Sequence, residues 1–176
     1  MIYLLFGPSA VGKSTVGRAL AHLLPRAAYI EVDELRYKVA GGLVAWGGAT
    51  HPREDPEEYA RQVALADRNA ALLAREFDAA GFSPVIDGLD DARIPGSGWI
   101  EQAFEGLPVR TALLMVDAAR LPERWAHDTD RHPDLLPVAL RTRAWFADRT
   151  AHFDVVLDTT GLEVAESARR LRQALL

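Results

Sequence analysis

The 176-residue sequence predicts an α/β fold, a three-layer doubly wound parallel sheet with helices on both faces, and three observations carry that expectation. Short apolar runs alternate with segments of helical periodicity along the whole chain, the pattern of strands joined by crossover helices. An apolar run at 2–6 passes directly into Gly7-Pro8-Ser9-Ala10-Val11-Gly12-Lys13-Ser14, which reads G-x-x-x-x-G-K-S, and then into a helical stretch with Val16, Leu20, Leu23 and Leu24 on one face. Several runs also end at an acid: Asp33, Asp87, Asp117 and Asp158. Ligands of an open parallel sheet gather at the carboxyl ends of its strands, so Gly7 and these acids should converge on one cleft.

The first strand, loop and helix have the context that a phosphate-binding loop requires. Glycine lets the backbone turn tightly and aim its N–H groups at anionic oxygens, and the helix N-terminus adds a favourable field for negative charge. In this pattern Gly7, Ser9, Ala10, Val11, Gly12, Lys13, Ser14 and Thr15 surround the phosphates of a nucleotide. Lys13 would reach the β- and γ-phosphates, and the Ser14 hydroxyl would coordinate Mg²⁺.

Further along, 28–32 reads as a second strand ending at Asp33, followed by a short helix at 34–39 stopped by Gly41-Gly42. Residues 41–56 form a Gly- and Pro-rich insertion containing Trp46 and His51, and a loop of that length in a compact domain is usually functional. Asp55-Pro56-Glu57-Glu58 is a helix start with an N-cap, a proline at the first position and a capping-box glutamate. Tyr59, Val63, Ala66, Ala70, Leu73 and Phe77 keep helical spacing from there to Gly81. A third strand at 84–87 leads into the turn of Asp90, Asp91 and Arg93, a helix at 99–105 and a fourth strand at 111–116. Helical segments at 121–126 and 138–149 flank a polar, proline-interrupted stretch, 153–157 is the last strand, and Val164, Ala168, Leu171 and Leu175 mark a final helix.

Composition narrows the function. Hydrophobic residues make up 49% and charged ones 26%, which suits a folded soluble chain and argues against disorder. The net charge of -5 gives no general reason to bind a nucleic-acid backbone or an anionic membrane. With Cys 0, disulfide and thiolate chemistry is excluded. The N-terminal apolar run is too short to span a bilayer and has no basic leader, so a cytoplasmic protein is expected. Lys13 and Lys38 are the only lysines, so any other cation around a triphosphate must be an arginine, whose planar fork suits phosphate.

The phosphate loop, the Tyr29-Ile30-Glu31-Val32-Asp33 segment, Val85-Ile86-Asp87-Gly88 and the arginine-bearing stretch after Asp117 together resemble the small P-loop kinases. Within them the chain is most similar to the branch of gluconate kinase-like and chloramphenicol phosphotransferase-like proteins, over nearly its whole length. The resemblance implies a single kinase domain over 1–176, five strands in the order 2-3-1-4-5, a helical lid at about 119–149, ATP with Mg²⁺ as donor and a small hydroxyl-bearing molecule as acceptor. A monomer or homodimer is expected, and the acidic balance argues against membrane attachment and extended nucleic-acid contacts.

By the same resemblance Asp33 faces the acceptor hydroxyl and takes or orients its proton; capping of the next helix is the competing role. Asp87 is the acid of a Walker B-like strand, holding Mg²⁺ or facing the substrate, or else a turn-forming Asp-Gly pair. Arg124 and Arg131 match arginines that neutralise the transferring phosphoryl group, with Arg141 and Arg143 in reserve. Thr160 lies in a turn that resembles the lining of the adenine pocket. Arg36, Tyr37, Trp46 and Asp90 fall where the acceptor should bind, although aromatic side chains also pack in cores. A guanine-specific switch is excluded, because its Asn-Lys-x-Asp segment is missing and Asn69, the one asparagine, precedes Ala70. A non-catalytic ATP-binding module and a kinase of nucleic-acid ends remain alternatives.

Overall fold

The computed structural model describes residues 1–45, 55–127 and 133–176; Trp46, His51 and Arg131 lie outside them. Five parallel strands, β1 (Ile2–Phe6), β2 (Ala27–Glu31), β3 (Ser83–Asp87), β4 (Val109–Met115) and β5 (Val155–Asp158), form one sheet in the order β2-β3-β1-β4-β5. Among the described residues seven α-helices accompany them: α1 (Lys13–Leu23), α2 (Val32–Arg36), α3 (Pro56–Ala79), α4 (Trp99–Ala103), α5 (Leu121–Ala126), α6 (Leu136–Ala147) and α7 (Val164–Leu175).

Strand β1 is central and buried on both faces, as its unbroken apolar sequence requires. The alternation of side chains sends Ile2, Leu4 and Phe6 into one core with Ala66, Ala70 and Ala74 of α3 and with Phe146 and Phe153. Tyr3 and Leu5 go into the other, against Val16 and Leu20 of α1 and Ala168 and Leu171 of α7. Each fully buried leucine or phenylalanine stabilises these layers by roughly 1.5–3 kcal/mol.

The helix α3 departs from the expected stripe. Asp55 does cap it, accepting from the Glu58 N–H at 2.9 Å, but the Glu58 carboxylate turns to Arg61 (2.8 Å) and Gln62 (2.9 Å) instead of back to the cap. Leu73 and Phe77 remain 40% and 37% exposed, while the polar Gln62 and Asp67 are buried. The face that packs on the sheet is the small one, Ala66, Ala70 and Ala74, which lets the helix approach closely and rotates the larger side chains outward. Elsewhere the shifts are short. The second strand stops at Glu31, so Asp33 stands in the first turn of α2, where Glu31 is the N-cap. Asp158 is the last residue of β5 and not the one after it.

At the end of β1 the chain approaches its neighbour too closely for a side chain. A Cβ on Gly7 would lie 2.3 Å from the Leu114 carbonyl oxygen, and Gly7 also has φ +142°. Gly7→Ala should therefore destabilise the protein by about 1–3 kcal/mol or more, read as a lower midpoint in urea unfolding. An unchanged midpoint would contradict this packing.

Candidate active site

The phosphate loop runs from Gly7 to the start of α1 through backbone that resists ordinary residues. Ala10 has φ 64° and Gly12, the N-cap of α1, has φ 97°. A non-glycine residue held left-handed costs about 1–2 kcal/mol, a strain characteristic of ligand-binding turns. Lys13 arches over this loop, its Nζ donating to the carbonyls of Gly7 (2.7 Å) and Pro8 (3.1 Å). The ammonium is thus held above the concave side that the loop presents to an anion.

Behind the loop stand oxygen groups on three elements. The Ser14 hydroxyl of α1 donates to Glu31 at the end of β2 over 3.5 Å, and the Tyr29 hydroxyl donates to Asp87 at 2.9 Å. Sheet register sets Glu31 directly beside Asp87. Arg18, one turn along α1, pairs with Glu31 at 2.6 Å and more loosely with Glu34 at 3.2 Å. Asp87 is 1% exposed. Burial pushes its carboxyl up to about 6, against the opposing pull of Lys13 and of hydrogen bonds from Ser14 and Tyr29. Burial first, and then the carboxylate of Asp87, raise the Tyr29 hydroxyl as well, so it stays a donor. A hydroxyl with nearby carboxylates suits a hard cation such as Mg²⁺ that takes its remaining oxygens from water and phosphate. No cluster of three or more His, Cys, Asp or Glu able to hold a metal unaided occurs among the described residues.

Arg124 of α5 reaches across to the loop, donating to the Val11 carbonyl (3.0 Å) and to the hydroxyl (2.9 Å) and carbonyl (2.6 Å) of Thr159. Its fork therefore ties the phosphate loop to the turn after β5. Thr160 joins the same junction, its hydroxyl accepting from the Asp117 N–H at 2.7 Å. Arg143 of α6 donates to the Val116 carbonyl at 2.8 Å and so braces the end of the β4 strand.

On the other side of Lys13 a cleft of about 450 Å³ opens at the strand ends. Asp33, Tyr37, Asp90 and Asp91 share its walls with Gly7, Ser9 and Lys13, and Tyr59, Val63, Trp125, Val138 and Ala139 make an apolar side. Asp91 is an exposed residue at the rim of this cleft. Protein packed beside it raises its carboxyl, with Lys13 opposing and Asp90 adding. Arg36 is not part of this lining. It is 3% exposed, donates to the Val44 carbonyl at 2.8 Å, and lies over the rings of Tyr37 and Tyr59 at 4.9 and 5.2 Å.

A family model described as chloramphenicol phosphotransferase-like protein matches residues 1–176. The chain belongs to that family. Among solved structures it resembles the tunicamycin resistance protein of Deinococcus radiodurans, with TM-score 0.66 at 22% identity over 98% of this chain and 93% of that one. It also resembles a gluconokinase from Sinorhizobium meliloti, with TM-score 0.62 at 19% identity over 98% and 90% of the two chains. A shikimate kinase from Bacteroides thetaiotaomicron gives TM-score 0.63 at 15% identity over 99% and 98%. At these identities the likeness is one of fold, and it includes the strand order found here. A search of the curated proteins found no match. Family and fold make the chain a P-loop kinase-like phosphotransferase, for which nucleotide use is implied. No helix among the described residues is long and apolar enough to cross a membrane.

The structure thus brings Lys13, Asp33, Tyr37 and Asp90 to one cleft, sets Ser14 and Asp87 behind the loop, and gathers Arg124 with Thr160 at the junction of two strand ends. Reading the sequence missed Glu31, Tyr29 and Arg18. The alternation of the second strand could have flagged Tyr29 and Glu31, which share one face with the strand-end acid of β3.

The raised carboxyl of Asp87 makes a pH prediction for metal-free protein. Its folded pKa of about 6 lies above the ordinary 3.8, so its contribution improves as pH falls through 6 and becomes constant once the unfolded carboxyl is also protonated. Asp87→Asn should therefore stabilise the metal-free protein by about 2 kcal/mol near pH 8 and by little below about pH 4, followed by urea unfolding across that range. A difference independent of pH would sink the assignment of desolvation as the cause.

Proposed function

We propose that the chain is an ATP- and Mg²⁺-dependent kinase that moves the γ-phosphoryl group to a hydroxyl of a small molecule such as a sugar acid, antibiotic or nucleoside. The observation that carries this reading is that Lys13 of the phosphate loop and the carboxylate of Asp33 line the same cleft, beside an apolar wall able to hold an organic acceptor. We read 1–176 as one kinase domain, with about 119–149 as its lid and a cytoplasmic setting as monomer or homodimer.

Residues 7–15 would cradle the phosphates, with Lys13 exchanging its two loop carbonyls for β- and γ-phosphate oxygens. Ser14 and Asp87 would hold Mg²⁺, with Glu31 alongside; the bound ion supplies neutralisation of charge on the phosphate oxygens. Asp33 would accept the proton of the acceptor hydroxyl as its oxygen bonds to the γ-phosphorus and the bond to the β,γ-bridging oxygen breaks, leaving ADP and a phosphate monoester. Arg124 reaches Val11 and Thr159 and could turn its fork to the transferring group; Arg131 is assigned the same task from the sequence alone. Thr160 would border the adenine. Tyr37 and Asp90 would contact the acceptor, with Trp46 assigned to it from the sequence alone. Arg36 would act on the acceptor only through the packing of Tyr37 and Tyr59.

ADP release screened against a panel of metabolites and antibiotics tests the reading. Turnover that depends on one compound is expected; nucleotide binding without turnover over a broad panel would favour a non-catalytic module. On the compound found, Asp33→Asn should lower kcat by roughly 10²–10⁴-fold and leave calorimetric ATP affinity unchanged, and parental activity in this variant would remove Asp33 from the chemistry. Lys13→Ala should weaken ATP binding or transfer by at least about tenfold, and parental binding and turnover would contradict the phosphate-loop assignment.

A further inference from the structure

Asp67 is a charged residue in the middle of α3 with 0% exposure, on the face that otherwise presents alanines to the sheet. Its two oxygens are used at two points of one loop. The Asp90 N–H donates to Oδ1 at 3.3 Å, and the Arg93 Nε donates to Oδ2 at 3.0 Å. Between those points the chain closes a tight turn, with the Arg93 N–H on the Asp90 carbonyl (2.8 Å) and the Asp90 carboxylate on the Ala92 N–H (2.9 Å). Arg93 also lies over the ring of Trp99 at 5.4 Å, so its guanidinium has a fixed seat. The residues ahead of and inside this turn, Gly88 to Asp91, line the cleft.

Burying a carboxylate here is unfavourable in itself. Desolvation raises the Asp67 carboxyl, and the bonds from Arg93 and the Asp90 N–H only oppose that shift. Buried ion pairs often contribute less to stability than apolar side chains of similar volume would. Shape-filling alone thus gives no reason for this pair, whereas fixing the position of a loop does.

We infer that Asp67 is a positioning residue for the acceptor side of the cleft: it holds both ends of the 90–93 turn so that Asp90 and Asp91 face the bound acceptor. This rests on the reading that the cleft beside Lys13 takes the acceptor. Asp67 touches neither substrate and acts only through the turn, so its loss changes acceptor recognition and leaves the phosphate loop alone.

Two variants test this. Asp67→Asn keeps one carbonyl oxygen and should give an intermediate effect. The double variant Asp67→Leu with Arg93→Met removes both charges, so no unpaired buried ion is left to unfold the chain. Hydrogen exchange of the parent and variants should show amides of 88–93 exchanging roughly tenfold faster in the double variant, with those of β1 and α1 unchanged. For the compound that most stimulates ADP release by the parent, KM should rise about tenfold, with KM for ATP and calorimetric affinity for a non-hydrolysable ATP analogue within about twofold. Unchanged exchange at 88–93 or an unchanged acceptor KM would overturn the proposal. So would faster exchange throughout the chain with equal rises in both KM values, the mark of a merely structural residue. A parent chain that turns over no compound of the panel counts against the kinase reading, and the exchange comparison then still decides whether Asp67 holds the turn.

Discussion

The close passage of the Gly7 backbone past the Leu114 carbonyl governs how the site is built. Only a residue without Cβ lets β1 leave the sheet at that point, tight against β4. Had the chain left one residue later, the loop would rise away from the sheet and α1 would begin elsewhere. Because it leaves at Gly7, the left-handed turns at Ala10 and Gly12 bring α1 back over the strand it followed, with Gly17 pressed against Leu5 and Tyr29. That return sets Lys13 over the loop and puts Ser14 within reach of Glu31. One steric constraint at the strand end thus fixes the direction of the helix dipole, the place of the ammonium and the distance to the acids of β2 and β3.

The same convergence concentrates unfavourable electrostatics. Asp87 and Asp67 both carry carboxyls raised by burial. In the phosphate loop Ala10 is held left-handed. A fold optimised for stability alone would not keep two buried acids and a left-handed alanine. Such costs persist where a ligand or a task requires them. The cores on either side of β1, filled with large apolar side chains, supply the offsetting stability at a distance from the chemistry.

How much of this could be read from the sequence depends on whether the physics was local. The phosphate loop was legible because its glycines, lysine and serine act within one continuous turn. The strand order followed from resemblance and agrees with the structure. Asp55 was legible because an N-cap bonds to a neighbour three residues away. Asp67 and Gln62 were not, since polar residues on a long helix ordinarily face water. Their burial depends on Asp90 and Arg93 in one case and on Gly42 and Val44 in the other. Leu73 and Phe77 misled for the complementary reason: their spacing is right for a core, but the smaller alanine face packs closer. Arg36 looked like a substrate contact from its place after Asp33, yet its side chain turns beneath the cleft because two tyrosine rings and a carbonyl await it there.

That division separates the two halves of the cleft. The phosphate loop itself is one sequence-contiguous turn, held by a few contacts from β2, β3, β4 and α5. The rest of the cleft draws on α2, α3, the turn after β3, α5 and α6, each placed by its own packing. On the proposed reading, a change in any one of those contacts would shift a wall by enough to alter how an acceptor meets Asp33. Proteins named for gluconate, shikimate and tunicamycin can share this strand order with the present chain at 15–22% identity. If the proposed reading holds, acceptor specificity rests on the long-range contacts that hold these walls more than on the phosphate loop.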